Sequence, residues 1–436
     1  MAFGLFLLVT AVLFIRPTDF LGPLQDVPLY EGLVAACLVA AVDGVLRQLR
    51  GEVLAQDPIS ACVLGLLGAV VLSELANLDF EGVSTHGLEF GKMVLFYLLL
   101  LGTVDSPRRL RAFLLWLGLC IAVVTGIGVL QYHGAVHLET FEVLEVGEEG
   151  RIDPDTGEQV LTRRLRGTGL FHDPNDLCLV LDLALPAALY GLGDRRLGPW
   201  RALWLGPLLL FGVALALTQS RGGLLGALVG VLVLLRARFR GRGGIVLGAA
   251  VLPVLLKLFG TRQTSFEVSG GTGQQRIQLW FESLGLFLGR PVFGIGASHL
   301  TDHLDHVTHN TFLHCFTELG LCGGALFLGA YVHALGALDR LGGDHAAGLD
   351  PELRRMRPYV LAAVAGYAAG MLTLSVPYIV PTYTVLGLAA CYLRAAAADQ
   401  PGAAGRAGGA FARRTAAVSA AFLVAMFIYT RTFVNW

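Results

Sequence analysis

The 436-residue chain is 55% hydrophobic and only 15% charged, whereas charged residues make up about 25% of an average soluble domain. That balance excludes a soluble globular enzyme and requires a polytopic membrane protein. The formal net charge of −1 gives no basis for a nucleic-acid partner, so the sign of each loop carries more information than the total.

A hydrocarbon core about 30 Å thick takes roughly 20 apolar residues per helix. On that basis apolar runs near 1–15, 28–46, 59–76, 88–104, 112–131, 170–192, 202–219, 222–235, 244–260, 310–338, 359–375, 379–394 and 414–431 predict an all-α bundle of about 12 to 13 transmembrane helices. The first run lacks a basic leader and an A-x-A cleavage site, which makes it a short retained span. The cysteines lie within or beside these runs with no CxxC spacing and read as small buried hydrophobes.

The sequence divides into N-terminal helices (1–131), a first long loop (132–169), helices with a Ser-Arg turn (170–260), a second long loop with a short amphipathic helix (261–309) and C-terminal helices (310–436). The other loops hold most of the basic residues, including Arg108/Arg109/Arg111, Arg195/Arg196 and Arg354/Arg355/Arg357. Cytoplasmic loops are enriched in lysine and arginine, so these loops are assigned to the cytoplasm and both long loops to the outer face. The first long loop contains Asp153-Pro154-Asp155-Thr156-Gly157, a turn signal between two short extended pieces. Its Asp-x-Asp-x-Gly resembles half a calcium loop, but Arg164 stands where the closing glutamate belongs.

Three arginines fall on the outer face where apolar sequence meets a loop. Arg166 precedes Gly167-Thr168-Gly169 and Phe171-His172-Asp173-Pro174-Asn175. Arg221 occupies the tight turn Thr218-Gln219-Ser220-Arg221-Gly222-Gly223. Arg276 opens an amphipathic helix to Leu288 with Ile277, Trp280, Phe281 and Leu284 at helical spacing. Arginine at membrane depth costs about 2.5–3.5 kcal/mol on insertion scales and is retained where it pairs with something; its planar fork fits phosphate oxygens. Snorkelling to the interface or pairing with a local carboxylate is the competing explanation.

Four histidines, His299, His303, His306 and His309, close the second loop with Asp302 and Asp305 between them. Spacings of three and four place several on one helical face, a pattern that could hold a metal through His299, His303 and His306. A histidine at the mouth of a span is more naturally a general base, and a solvated polar turn before the helix is the structural alternative to both. His309-Asn310 holds that position, with His306 as the alternative base. Asp182 and Glu318 fall inside spans, where hydrogen bonding within the bundle is expected. Gly270-Gly271-Thr272-Gly273 lacks the lysine and the preceding strand of a phosphate loop.

Arg166-Gly167 through Pro174-Asn175, Ser220-Arg221 between two spans, Arg276 with Trp280, Pro291 to Gly296, and His309-Asn310 followed by Glu318-Leu319-Gly320 together resemble the O-antigen ligase and O-antigen polymerase superfamily, over roughly residues 160–330. Arg16-Pro17-Thr18-Asp19 also looks like a feature of some members. The resemblance implies a GT-C-like bundle in the bacterial inner membrane, with its site facing the periplasm. It implies a glycosyltransferase that moves a glycan from undecaprenyl pyrophosphate to an acceptor sugar, on a lipid A core or another glycan. Arg276, Arg221 and Arg166, with Asn310 and Asn175, would then bind the pyrophosphate and substrate, and His309 would be the base. No metal and no cofactor is expected. A polymerase using the same donor is the first alternative, and a transporter or flippase of lipid-linked glycan the second.

Overall fold

The computed structural model describes residues 1–24, 27–138, 144–152, 159–167, 169–239 and 272–434. The expected span near 244–260 and the Asp153–Gly157 turn lie outside these residues.

The chain folds into a helical bundle: α1 (Ala2–Ile15), α2 (Leu29–Gln48), a short α3 (Gly51–Ala55), α4 (Pro58–Ala76), α5 (Phe80–Thr103), α6 (Pro107–Tyr132), α7 (Pro174–Gly193), α8 (Leu205–Thr218), α9 (Arg221–Arg238), α10 (Thr272–Gly289), one-turn α11 (Leu300–His303), α12 (Thr311–Arg340), α13 (Pro351–Gly370), α14 (Val380–Asp399) and α15 (Gly409–Phe433). Several starts are written in the sequence. Asp57, Asp173 and Asp350 accept hydrogen bonds from the first-turn N–H groups of Ser60, Asn175 and Glu352, each with a proline inside the first turn. These positions satisfy orphan donors and supply a helical φ in advance.

Among the described residues eight helices are both long and apolar enough to cross a membrane, and the chain is a multi-pass membrane protein. The other expected spans within the described residues are also helical, as α5, α9, α13 and α14. The span expected at 359–375 is α13 and begins earlier, so Arg354, Arg355 and Arg357 are helical residues rather than loop residues. The Asp350 cap and Pro351 start the helix there. Arg355 is tolerated inside it because Asp194 and Glu352 pair with it at 3.0 and 2.6 Å.

The first long loop contains the only strands among the described residues, an antiparallel hairpin of β1 (Leu144–Ile152) and β2 (Gln159–Arg164) with Leu144 opposite Arg164. The two extended pieces read from the sequence are these strands.

Small residues set the closest approach in the bundle. Gly222, Gly226 and Gly230 recur every four residues along α9, facing α13 and α7. A Cβ at Gly226 would lie 1.9 Å from Asp182 Oδ2 and 2.8 Å from the Gly366 carbonyl oxygen. Helices in lipid lack a hydrophobic drive toward one another and gain from such close backbone contact.

In α12 the helix breaks at Gly320 (φ 63°, ψ −161°). Pro291–Gly296 fills the break: Ile295 and Gly296 donate to Thr317 and Glu318 carbonyls, and Leu321 and Cys322 donate to Pro291 and Val292. The Pro291–Gly296 and Glu318–Gly320 motifs are thus two halves of one interlock. Gly294 (φ 75°) is required there, since a Cβ would lie 2.3 Å from the Glu318 backbone.

Candidate active site

The turn between α8 and α9 is fixed from three sides. Gln219 adopts a left-handed φ of 52° to end α8, and Ser220 Oγ accepts from Gly223 N at 3.2 Å to cap α9. Gly222 and Gly223 lie so close to Thr373 and Cys178 that a Cβ would approach their side-chain heteroatoms to 2.0 and 1.8 Å. From below, Leu165 N donates to the Leu217 carbonyl and Arg164 Nε to the Thr218 carbonyl, both at 2.9 Å. Arg221 therefore stands exposed at the N-terminus of α9, on a turn held by these contacts.

Helix α10 begins at Thr272, a turn earlier than the sequence suggested, and packs Leu284 against Leu313 and Met426 of α12 and α15. Its amphipathic face lies on the bundle, and half-buried Arg276 is on its first turns. Trp280 on the same helix donates its indole N–H to the Thr308 carbonyl at 2.6 Å.

That bond places the residue before His309. Thr308 Oγ1 donates to the Asn310 carbonyl at 3.0 Å and lies 3.1 Å from Ser375 Oγ; Asn310 Oδ1 caps α12 by accepting from Leu313 N at 3.1 Å. Between these two anchors His309 is held at φ 51°. A left-handed non-glycine residue costs about 1–3 kcal/mol and persists only where its surroundings over-determine it. His309 is half-buried, whereas His303 and His306 are exposed.

The charges of these segments act on one another. Burial, then the guanidinium of Arg276, hold the His309 imidazole down to about 4, with Asp173 opposing and His306 and His314 adding to the depression. Burial and the charge of Arg221 both lower Arg276 from its ordinary value. Arg221, Arg276 and His309, from the Ser-Arg turn, α10 and the second long loop, thus share one electrostatic field with Asp173 at the start of α7. Arg166 lies at the same end of the bundle, its carbonyl packed over Gly128 of α6. Asn175 is there too, accepting from Arg164 Nη2 at 3.2 Å. Arg16, at a left-handed φ of 49°, lies against Gly169, where a Cβ would sit 2.1 Å from its Cδ.

The remaining histidines do not form a helical face. α11 is a single turn, because Leu304 is extended and the chain to Thr308 is irregular. His299 instead turns toward α4 and α5. Its Nε2 is 3.4 Å from Glu74 Oε2 and 3.2 Å from Asp79 Oδ2, and Glu74, His86 and His299 form a cluster of metal-ligating type that omits His303 and His306. Burial pushes the His299 imidazole down, but hydrogen bonds to Asp302 and Asp79 and the charges of Glu74 and Asp302 leave it raised. Glu318 is fully buried and accepts from Ser298 N, Leu300 N and the Tyr378 hydroxyl at 2.9, 3.0 and 2.7 Å, with His314 Nε2 3.0 Å away.

Sequence reasoning missed Arg164 and Asp173. A signal existed for the second, since Asp before Pro174 marks a helix cap beside the mouth of the same span. It also missed Glu74 and His86, for which no local signal exists, since each lies over 200 positions from His299.

No curated protein matches the chain. Residues 206–328 match the family model described as O-antigen ligase. The match takes in Arg221, Arg276, His309, Asn310 and the Gly320 interlock, while Arg166 and Asn175 precede it. The resemblance read from Ser220-Arg221, Arg276, and His309 to Gly320 therefore holds, and the chain carries a domain of the O-antigen ligase family over residues 206–328.

Proposed function

We propose that the chain is a glycosyltransferase of O-antigen ligase type, acting at the periplasmic face of the bacterial inner membrane within a GT-C-like bundle. It transfers a glycan from undecaprenyl pyrophosphate to a sugar hydroxyl, with a lipid A core as acceptor. The observation that carries this is the pair of guanidinium groups, Arg221 and Arg276, whose charges bear on each other and, through Arg276, on His309. An anion between two like charges relieves their repulsion, and the guanidinium fork suits a pyrophosphate. The N-terminal dipole of α9 adds to that field.

In this mechanism Arg221 and Arg276 bind the pyrophosphate and stabilise the charge that develops as it leaves. Arg166, Asn175 and Asn310 border the substrate. His309, neutral at physiological pH, takes the proton of the acceptor hydroxyl. The acceptor oxygen attacks the anomeric carbon opposite the pyrophosphate, the carbon–oxygen bond to pyrophosphate breaks, and undecaprenyl pyrophosphate departs with inversion at the sugar. Asp173 stabilises the imidazolium that forms. The guanidinium groups supply the charge that a metal supplies in other transferases, so the transfer is metal-independent.

A polymerase would share every step and differ in its acceptor, a second lipid-linked glycan. Purified protein given undecaprenyl-pyrophosphate glycan, with and without a lipid A core acceptor, distinguishes the outcomes. The expected result is a single capped acceptor. A ladder of longer lipid-linked products reassigns the protein as a polymerase, and movement of intact lipid-linked glycan across vesicles without transfer would contradict the enzyme assignment.

A further inference from the structure

Where α4, α5 and the second long loop meet, three acceptor atoms converge on one ring. His299 Nδ1 is 2.7 Å from Asp302 Oδ2, so in the neutral ring its proton is engaged there and Nε2 carries a lone pair. That Nε2 faces Glu74 Oε2 at 3.4 Å and Asp79 Oδ2 at 3.2 Å. A second imidazole, His86, stands edge-on to the first with ring centroids 5.5 Å apart and Nδ1 2.8 Å from Glu74 Oε1.

Each carboxylate is oriented by backbone. Asp79 Oδ1 accepts from Gly82 N at 2.8 Å and Glu74 Oε1 from Ala297 N at 2.9 Å, which turns Asp79 Oδ2 and Glu74 Oε2 inward. The Glu74 side chain is 0% exposed, and its Oε2 accepts no hydrogen bond among the described residues. Two glycines keep the space open: a Cβ at Gly82 would lie 2.9 Å from Glu74 Oε2, and one at Gly296 would lie 2.5 Å from His299 Cδ2.

We propose that Glu74, His86 and His299, with Asp79 Oδ2 beside His299, hold one zinc-class divalent cation, which fastens the second long loop to α4 and α5. Donors about 2.0–2.1 Å from zinc stand roughly 3.3 Å apart in a tetrahedron. The His299 contacts of 3.4 and 3.2 Å match that edge, and the donor atoms of Glu74, His86 and His299 all lie within 4.8 Å of one another. Imidazole with carboxylate favours zinc over magnesium or calcium, which take oxygen alone. Asp302 on Nδ1 completes the carboxylate–histidine–metal arrangement that fixes the ligating tautomer. The site serves the loop and takes no part in the transfer.

The test uses the full-length protein in detergent, its affinity tag removed, stripped with EDTA and titrated calorimetrically with zinc chloride. One equivalent per chain is expected, and cobalt(II) in its place should give the visible absorption of a four-coordinate ion. His299→Ala and His86→Ala should abolish the binding, and Asp302→Asn should weaken it about 10- to 100-fold. His303→Ala and His306→Ala should leave it unchanged. The metal-free unfolding midpoint of each variant separates lost ligation from lost folding, and His86, 26% exposed, is the safest position to change. No zinc uptake by the parent protein, or undiminished uptake by a folded His86→Ala or His299→Ala variant, overturns the proposal.

Discussion

The two ends of the bundle treat arginine in opposite ways. At the end formed by the α6, α7 and α13 termini, fully buried Asp194 receives Arg111 at 2.6 Å and Arg355 at 3.0 Å, while Glu352 pairs with Arg355, Arg196 and the Tyr190 hydroxyl. At the other end Arg276 bears the charge of Arg221, and His309 bears that of Arg276. A guanidinium matched to a buried carboxylate is part of the scaffold, because removing either partner strands the other. In the proposed function, a guanidinium held against another cation is where the incoming pyrophosphate would bind. The proposed function assigns a structural role to the first kind of arginine and a binding role to the second.

The comparison is broken most sharply at His309. His309→Ala should lower the transfer rate by about 100- to 10,000-fold, the contribution of a positioned base, with the protein still inserted in the membrane; radiolabelled glycan transfer in membranes measures it. Arg276→Ala should cost about 100- to 1,000-fold, as for loss of one donor to a developing charge. Arg276→Lys should recover part of this, since the charge returns without the fork.

The pH dependence sharpens the same point. Protonation removes the base, so kcat/KM should fall as pH drops through about 4, the value of His309 in the free protein. Bound pyrophosphate neutralises Arg276 and adds negative charge, both of which favour the imidazolium. The acid limb of kcat should therefore lie at higher pH than that of kcat/KM. Coincident limbs would show that the donor does not sit on Arg276.

At the opposite end, Arg111→Ala removes one of two guanidinium partners of buried Asp194, Arg355 remaining at 3.0 Å, and should destabilise the fold by about 2 kcal/mol, the worth of one charge-assisted bond, read as a lower thermal unfolding midpoint in detergent. The smallest effect is expected for Trp280→Phe, which deletes the 2.6 Å bond to the Thr308 carbonyl. A loss of about 1 kcal/mol in positioning corresponds to roughly a fivefold drop in kcat.

Much of this organisation is legible in the sequence. Hydropathy locates the helices because a membrane span must be apolar over a fixed length. The hairpin around Asp153–Gly157 is announced by its turn residues. The start of α13 is not legible, because Arg354, Arg355 and Arg357 read as loop and only the fold brings Asp194 to pair with Arg355. The histidine spacing predicts several of them on one helical face, because spacing carries no information about the extended Leu304 that ends α11. His299 turns away from its neighbours in sequence toward Glu74 and Asp79, which long-range packing of α4 against α12 brings near. Arg221, Arg276 and His309 are legible singly because each stands where apolar sequence meets a loop; that their charges meet is a property of the fold.

The central claim is tested most directly by placing Arg276→Ala and Arg111→Ala side by side, measuring single-turnover glycan transfer and thermal unfolding on the same purified samples. Arg276→Ala should lose transfer at an unchanged unfolding midpoint, and Arg111→Ala should unfold earlier while its folded fraction transfers at the parent rate. Full transfer by Arg276→Ala, or loss of transfer by folded Arg111→Ala, would contradict the division between the two ends.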